Sequence, residues 1–137
     1  VSGSKKAVEL LNDNVKKKNK RGIVLPVSAP FHCSMMNAAL IKMKSKIENT
    51  VFLKPNPSII SNVTAKEENN VESIKKLLIK QITSRVRWRE SVDYMIEEGV
   101  NDFVEIGPGK VLSGLVKKIN KNVNISNINS IGDLKHD

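Results

Sequence analysis

The chain has 137 residues, of which 39% are hydrophobic and 27% charged, as is ordinary for a globular protein. Its apolar runs fall short of the ~18 residues of a membrane span, and no signal peptide is visible, so we expect no membrane association. The lone Cys33 cannot form an internal disulfide, which favours a reducing, cytoplasmic compartment. With only His32 and His136 beside that cysteine, a zinc site is not expected.

The formal net charge of +9 admits several kinds of partner. Nucleic acid is not the expected one, because no basic motif with interleaved aromatic residues supports it. Most of the positive charge comes from lysine and suggests a general surface bias. The alternative is that the charge attracts an acidic partner protein or the phosphates of a coenzyme.

Helical spacing of apolar residues predicts five helices, at residues 4–19, 34–48, 71–82, 87–98 and 110–119. Short runs rich in β-branched residues predict four strands, at residues 23–28, 58–63, 102–106 and 122–127. Asn70 is a predicted helix N-cap and Gly99 a predicted C-cap. Strands that alternate with helices predict an α/β fold with a mostly parallel sheet.

The segment Pro26-Val27-Ser28-Ala29-Pro30-Phe31-His32-Cys33 is the strongest local motif. A predicted strand ends there and the chain turns, and in α/β sheets such exits are where active sites form. Histidine at the turn is a candidate general base, with a structural loop residue as the alternative. Cys33 is not expected to be a nucleophile, since adjacent residues in an extended segment point in opposite directions. We expect it to be a small buried residue instead.

A second motif, Glu105-Ile106-Gly107-Pro108-Gly109-Lys110-Val111-Leu112, reads as a strand, a glycine turn and a helix. Such a turn can present backbone N–H groups to an anion. The Walker spacing is absent, so we favour a tight turn that needs glycine for its backbone angles.

Isolated polar and aromatic residues are weaker candidates for a functional site than these two motifs. Gln81 and Asn62 lie at the edges of apolar segments, and neither position alone indicates a role. Three of the four arginines flank Trp88, which could stack on a ligand but more often anchors a core.

Together these strings resemble the C-terminal motifs of malonyl-CoA:acyl-carrier-protein transacylases. The resemblance rests on three segments: residues 28–33, Gln81 followed by residues 86–88, and residues 105–112. They occur in the family's order and near its spacing, and the resemblance covers essentially the whole chain. It departs from the family at Arg85, where proline is usual.

The resemblance implies a two-step acyl transfer. A serine takes malonyl from coenzyme A and passes it to the phosphopantetheine thiol of acyl carrier protein, in fatty acid biosynthesis. The position of His32 would be the base, held by a backbone carbonyl at the position of Gln81 in place of a triad carboxylate. Asn62 would be a substrate-binding residue near the pocket. No resident cofactor or metal is implied.

The resemblance also implies where the rest of the site lies. A Gly-x-Ser-x-Gly nucleophile elbow is absent from this sequence. The expected partners are therefore malonyl-CoA, acyl carrier protein and a missing N-terminal half of the same enzyme. Residues 1–22 would end a small inserted ferredoxin-like subdomain, and residues 23–137 would be part of a large hydrolase-like domain.

Two alternatives stay open. One is an acyltransferase domain of a polyketide or multifunctional fatty acid synthase. The other is a non-catalytic fragment that binds carrier protein. We expect the chain by itself to be inactive and to leave apolar faces of its sheet open, at Val24, Val27, Ile59, Val104 and Ile106.

Overall fold

The structure, a computed structural model, describes residues 1–134, and His136 and the end of the C-terminal tail lie outside them. It separates into two units, Val1–Val86 and the residues from Arg87 onward. The first unit contains α1 (Lys5–Lys17), α2 (Asn37–Asn49), β1 (Ile59–Ile60), β2 (Glu67–Glu68) and α3 (Val71–Gln81). The second contains α4 (Trp88–Glu97), β3 (Asp102–Ile106), α5 (Val111–Ile119) and β4 (Asn124–Ile128). The α/β class is therefore confirmed.

All five predicted helices form, and their ends follow local chemistry. Asn70 caps α3, because its Oδ1 atom accepts the N–H of Ser73 at 2.9 Å. Gly99 ends α4 in the left-handed conformation, with φ of 90°, and its N–H donates to the carbonyl of Ile96. A 3₁₀ turn at Ser34–Met36 precedes α2, so that helix begins later than predicted.

The predicted strand at residues 23–28 is wrong, because that segment runs without regular secondary structure. Its apolar residues Ile23, Val24, Leu25 and Val27 are 60–71% exposed. A strand needs a neighbour to complete its ladder, and within residues 1–134 this segment has none.

The strands form two separate pairs instead of one mostly parallel sheet. β1 is two residues long, shorter than the predicted run at 58–63, and pairs antiparallel with β2, which the sequence did not predict. β3 and β4 pair in parallel, with Asp102 opposite Asn124 and Ile106 opposite Ile128. The parallel arrangement was therefore predicted correctly only for the second unit.

The core of the second unit is a valine cluster. Val92 of α4 is fully buried against Val116 of α5 and Val123, which precedes β4. Each buried valine stabilises the fold by about 1.5–3 kcal/mol relative to an exposed one. Phe103 and Ile125 pack against the cluster from one face of the β3–β4 pair.

The other face of that pair is open within the described chain. Val104 is 52% exposed and Ile106 is 78% exposed, and both alternate with the inward-facing Phe103. In the first unit, Ile59 is 40% exposed. Open apolar faces are confirmed at Val104, Ile106 and Ile59, whereas the exposed Val24 and Val27 lie in no strand. An open face is unusual for a parallel pair, because parallel sheets are normally covered on both sides.

Candidate active site

His32 lies at the tip of a tight turn. Its φ is 61°, in the left-handed region that few non-glycine residues adopt. Two hydrogen bonds shape the turn: the N–H of Phe31 donates to the carbonyl of Ala29 at 2.9 Å, and the Cys33 thiol donates to the carbonyl of Pro30 at 3.2 Å. The turn presents the imidazole at the surface of the first unit.

The ring of His32 is held by the end of α3. Its Nδ1 atom lies 3.1 Å from the main-chain oxygen of Gln81. The last carbonyls of a helix have no intrahelical partner, so this oxygen is available, although it also accepts the N–H of Ser84 at 3.3 Å. A carbonyl only accepts, so Nδ1 carries the proton and the lone pair of the neutral ring lies on Nε2.

Asn62 lies in the loop that joins β1 to β2. Ser61, just before it, is buried and shapes the loop: its carbonyl accepts the N–H of Ala65 at 2.8 Å and its Oγ accepts the N–H of Val63 at 3.2 Å. Asn62 itself is half-buried. In the described part of the chain, no hydrogen bond joins its side chain to His32 or Gln81.

Cys33 is half-buried and its thiol is directed at the backbone of its own turn. It is therefore less buried than expected. The thiol donates to Pro30, whereas Nδ1 of His32 is bound to Gln81, so these contacts do not pair the two side chains. A cysteine nucleophile would need the imidazole as its hydrogen-bond partner.

The glycine turn between β3 and α5 is not an open anion site. A carboxylate of the chain itself takes the helix N-terminus: Glu105 accepts the N–H of Leu112 at 3.0 Å and of Ser113 at 2.8 Å. The N–H of Gly109 donates to Oδ1 of Asn129 at 3.0 Å. Gly107 has a φ of 134°, which supports the tight-turn reading.

The pKa of Glu105 is lowered by the groups that donate to it. The largest causes are hydrogen bonds from the side chain and the backbone N–H of Ser113, and Leu112 and Asn127 add to them. The sequence motif includes Glu105 but does not predict its role, because a helix cap seven residues upstream in a strand has no local signature. The network ties β3, β4 and α5 together, since Asn127 also lies 2.6 Å from the Ser113 hydroxyl.

Trp88 begins α4 and packs against the valine cluster. Its role as a core anchor is thereby supported over that of a ligand platform. The neighbouring arginines lie near carboxylates on the same helix: Arg87 is 3.4 Å from Glu90 and Arg89 is 3.6 Å from Asp93.

The second unit also carries a basic depression beside α5. Its volume is about 570 Å³, and Lys110 and Lys117 line it together with Gly114 and Ile125. The ammonium group of Lys117 donates to the carbonyl of Lys121 at 3.1 Å. The depression is therefore lined by lysines together with polar and apolar residues.

Metal-binding clusters and membrane-spanning helices are both absent from residues 1–134. That part of the chain holds no cluster of three or more histidine, cysteine, aspartate or glutamate side chains able to bind a metal ion. Likewise, none of its helices is long and apolar enough to cross a membrane.

Proteins of known function are similar to most of this chain. No protein-family model matches the chain. The malonyl CoA-acyl carrier protein transacylase of Bacillus subtilis is 45% identical over 122 residues, which cover 88% of this chain. The chain is a homologue of the malonyl CoA-acyl carrier protein transacylases. It spans 38% of the length of that relative.

Solved transacylase structures agree. The acyl-carrier-protein-S-malonyltransferase of Bartonella henselae is 40% identical, with a TM-score of 0.89, over 95% of this chain and 42% of its own. A malonyl-transacylase in complex with its type II PKS acyl-carrier protein is 37% identical, with a TM-score of 0.88, over 95% of this chain and 42% of that chain. The family resemblance identified from residues 28–33, 81–88 and 105–112 is confirmed.

Proposed function

We propose that this chain supplies the base of an acyltransferase site that moves malonyl from coenzyme A to the phosphopantetheine thiol of acyl carrier protein, in fatty acid biosynthesis. The hydrogen bond between Nδ1 of His32 and the Gln81 carbonyl carries the proposal. It is the contact that a general base needs in order to keep its other nitrogen unprotonated.

In the proposed reaction a serine from the rest of the enzyme is the nucleophile. Nε2 of His32 accepts the serine proton as the hydroxyl attacks the thioester carbonyl, and it gives that proton to the coenzyme A thiolate that leaves as the C–S bond breaks. In the second half, Nε2 accepts the proton of the carrier thiol as that thiol attacks the malonyl ester. The proton then goes back to the serine oxygen.

The neutral carbonyl of Gln81 does the work of a triad carboxylate. It orients the ring and fixes the tautomer without placing a full negative charge beside the base. The oxygen lies at the C-terminal end of α3, where the helix dipole is negative. That orientation favours the positive charge that the imidazole acquires during each proton transfer.

The rest of the transacylase chain is the proposed structural partner. The open face with Val104 and Ile106 needs an apolar cover. We propose that the nucleophile-bearing part of the enzyme covers it in a hydrolase-like sheet. Residues 1–22 would end a ferredoxin-like subdomain and residues 23–137 would belong to the large domain.

Acyl carrier protein and malonyl-CoA are the proposed binding partners, with no resident cofactor, and the cytoplasm is the proposed compartment. The charge of +9 suits an acidic carrier and a phosphorylated coenzyme. A related malonyl-transacylase has been solved in complex with its acyl-carrier protein. Asn62 is proposed to contact substrate from the β1–β2 loop.

A chimeric enzyme tests the proposal: the Bacillus subtilis transacylase in which this chain replaces the matched 122-residue region. We expect it to transfer malonyl from malonyl-CoA to holo acyl carrier protein, as measured by the mass of the carrier. A folded chimera that neither acylates its serine nor transfers malonyl would contradict the role of this chain as the supplier of the base. One that loads another acyl group in preference to malonyl would contradict the proposed substrate.

A further inference from the structure

We propose that Cys33 is a positioning residue for His32. Its thiol donates to the carbonyl of Pro30 at 3.2 Å and so closes the turn that carries the imidazole. The inference rests on the proposed function in one respect: it takes His32 to be the base. It assigns the cysteine a part in the site that is neither nucleophilic nor merely space-filling.

The backbone of His32 needs such a closure. A non-glycine residue in the left-handed region is held there only when its surroundings over-determine it. His32, with φ of 61°, lies between Pro30 and Cys33, and the hydrogen bond between those two residues spans it. Opening that bond frees the histidine to relax to an extended backbone and to turn its ring away from Gln81.

The side chain takes the place that a backbone group usually holds. In a four-residue turn the first carbonyl commonly accepts the N–H of the fourth residue. Here the Pro30 carbonyl accepts the fourth residue's thiol instead. The backbone of Cys33 is extended, with φ of −144°, and its carbonyl accepts the N–H of Met36 as the 3₁₀ turn begins. The residue therefore anchors the turn to the start of the next element.

The ring tautomer of His32 reports the effect. Bound to the Gln81 carbonyl, the neutral ring must carry its proton on Nδ1. A ring released into water exchanges between both tautomers. The loss of one hydrogen bond, here the one from the Cys33 thiol to Pro30, changes the ratio of the two tautomers roughly two- to tenfold. The effect is modest because a thiol is a weak donor.

The experiment measures ¹⁵N chemical shifts of the imidazole at a pH where it is neutral, in the whole chain with His136→Gln, so that the ring signals come from His32 alone. Cys33→Ala and Cys33→Val both remove the donor, with a smaller and a larger side chain respectively, and Cys33→Ser keeps a donor. Ser34→Ala, at the next position, is the matched control. Amide spectra of α2 and α3 establish that each variant is folded.

We expect the Nδ1–H form to dominate in the chain with the native Cys33, in Cys33→Ser and in Ser34→Ala. We expect Cys33→Ala and Cys33→Val to shift the ratio roughly two- to tenfold toward the Nε2–H form. An unchanged ratio in both of these variants would overturn the inference, as would a Cys33→Ser variant that behaves like Cys33→Ala. Predominance of the Nε2–H form with Cys33 intact would instead refute the His32–Gln81 contact, and with it the proposed function.

Discussion

The imidazole Nδ1 atom of His32 and the main-chain oxygen of Gln81 are 3.1 Å apart, although 49 positions separate the two residues in the sequence. One comes from a left-handed turn and the other from the end of a helix. Two separate features of the fold must therefore form correctly before the ring is oriented. This contact leads to a separate prediction for His32 and for Gln81.

Replacement of the ring should abolish most of the transfer. In the chimeric enzyme we expect His32→Ala to lower kcat for malonyl transfer by at least roughly 10²-fold, the low end for the loss of a general base. Far-UV circular dichroism should be unchanged, because the side chain is exposed. Near-native kcat in the variant would exclude His32 as the base.

Replacement of the Gln81 side chain should be far milder than replacement of His32. The atom that holds the imidazole belongs to the main chain, so Gln81→Ala keeps it. We expect kcat to fall by less than roughly tenfold, the size of one typical hydrogen bond. Steady-state kinetics of the chimera measures this. A loss as large as that of His32→Ala would mean that the glutamine amide takes part directly.

Carrier binding should depend on salt and on the basic end of α5. Exposed charges are screened over ~10 Å at 0.1 M ionic strength, so KM for acyl carrier protein should rise steeply with salt. The double change Lys117→Glu and Lys118→Glu should raise KM and flatten that dependence. Lys5→Glu with Lys6→Glu, on α1, makes the same change in charge elsewhere. If both double variants raised KM equally, carrier binding would depend on net charge alone and not on the end of α5.

Glu105 should make stability depend on pH. Folding lowers its pKa, so its contribution is complete above the pKa of an unfolded glutamate, about 4.3, and is lost as the pH falls through the lower folded-state pKa. Glu105→Gln should lower Tm at neutral pH. The difference in Tm between the variant and the native chain should become smaller as the pH falls. Glu9→Gln on α1 is the control. A difference in Tm that stays constant from neutral pH to pH 3 would refute this account.

The isolated chain should not become acylated. It carries the proposed base without a recognisable serine elbow, and nucleophile and base act as a unit. Incubation with malonyl-CoA should leave its intact mass unchanged, and its open apolar face should make it self-associate in sedimentation. A malonyl adduct at Cys33 or at any serine would show that the nucleophile lies within these residues.

Sequence patterns predicted the helices well because helix formation is local. Apolar spacing and the caps at Asn70 and Gly99 lie within each segment and form as expected. The failure at residues 23–28 has the opposite cause: a strand is completed by a partner that its own residues do not specify. The pairing of Glu67–Glu68 was missed for a related reason, since glutamate is poorly represented in strands.

The site was predicted only in part from the residues themselves. The turn and its histidine follow from the motif, whereas Gln81 received a predicted role only through the family resemblance. Physical reasoning on one sequence cannot find a backbone acceptor, because every residue carries the same carbonyl. The Glu105 cap was missed because its two donors lie on the far side of a glycine turn.

The acceptor at position 81 is a main-chain atom and not part of a side chain. The contact with His32 therefore depends on the course of the backbone at this position and not on the residue type. A full scan of natural amino acids there would leave that atom untouched. Its strength is changed instead by semisynthesis, when an ester replaces the peptide bond between Gln81 and Ile82 and leaves a poorer acceptor in the same location.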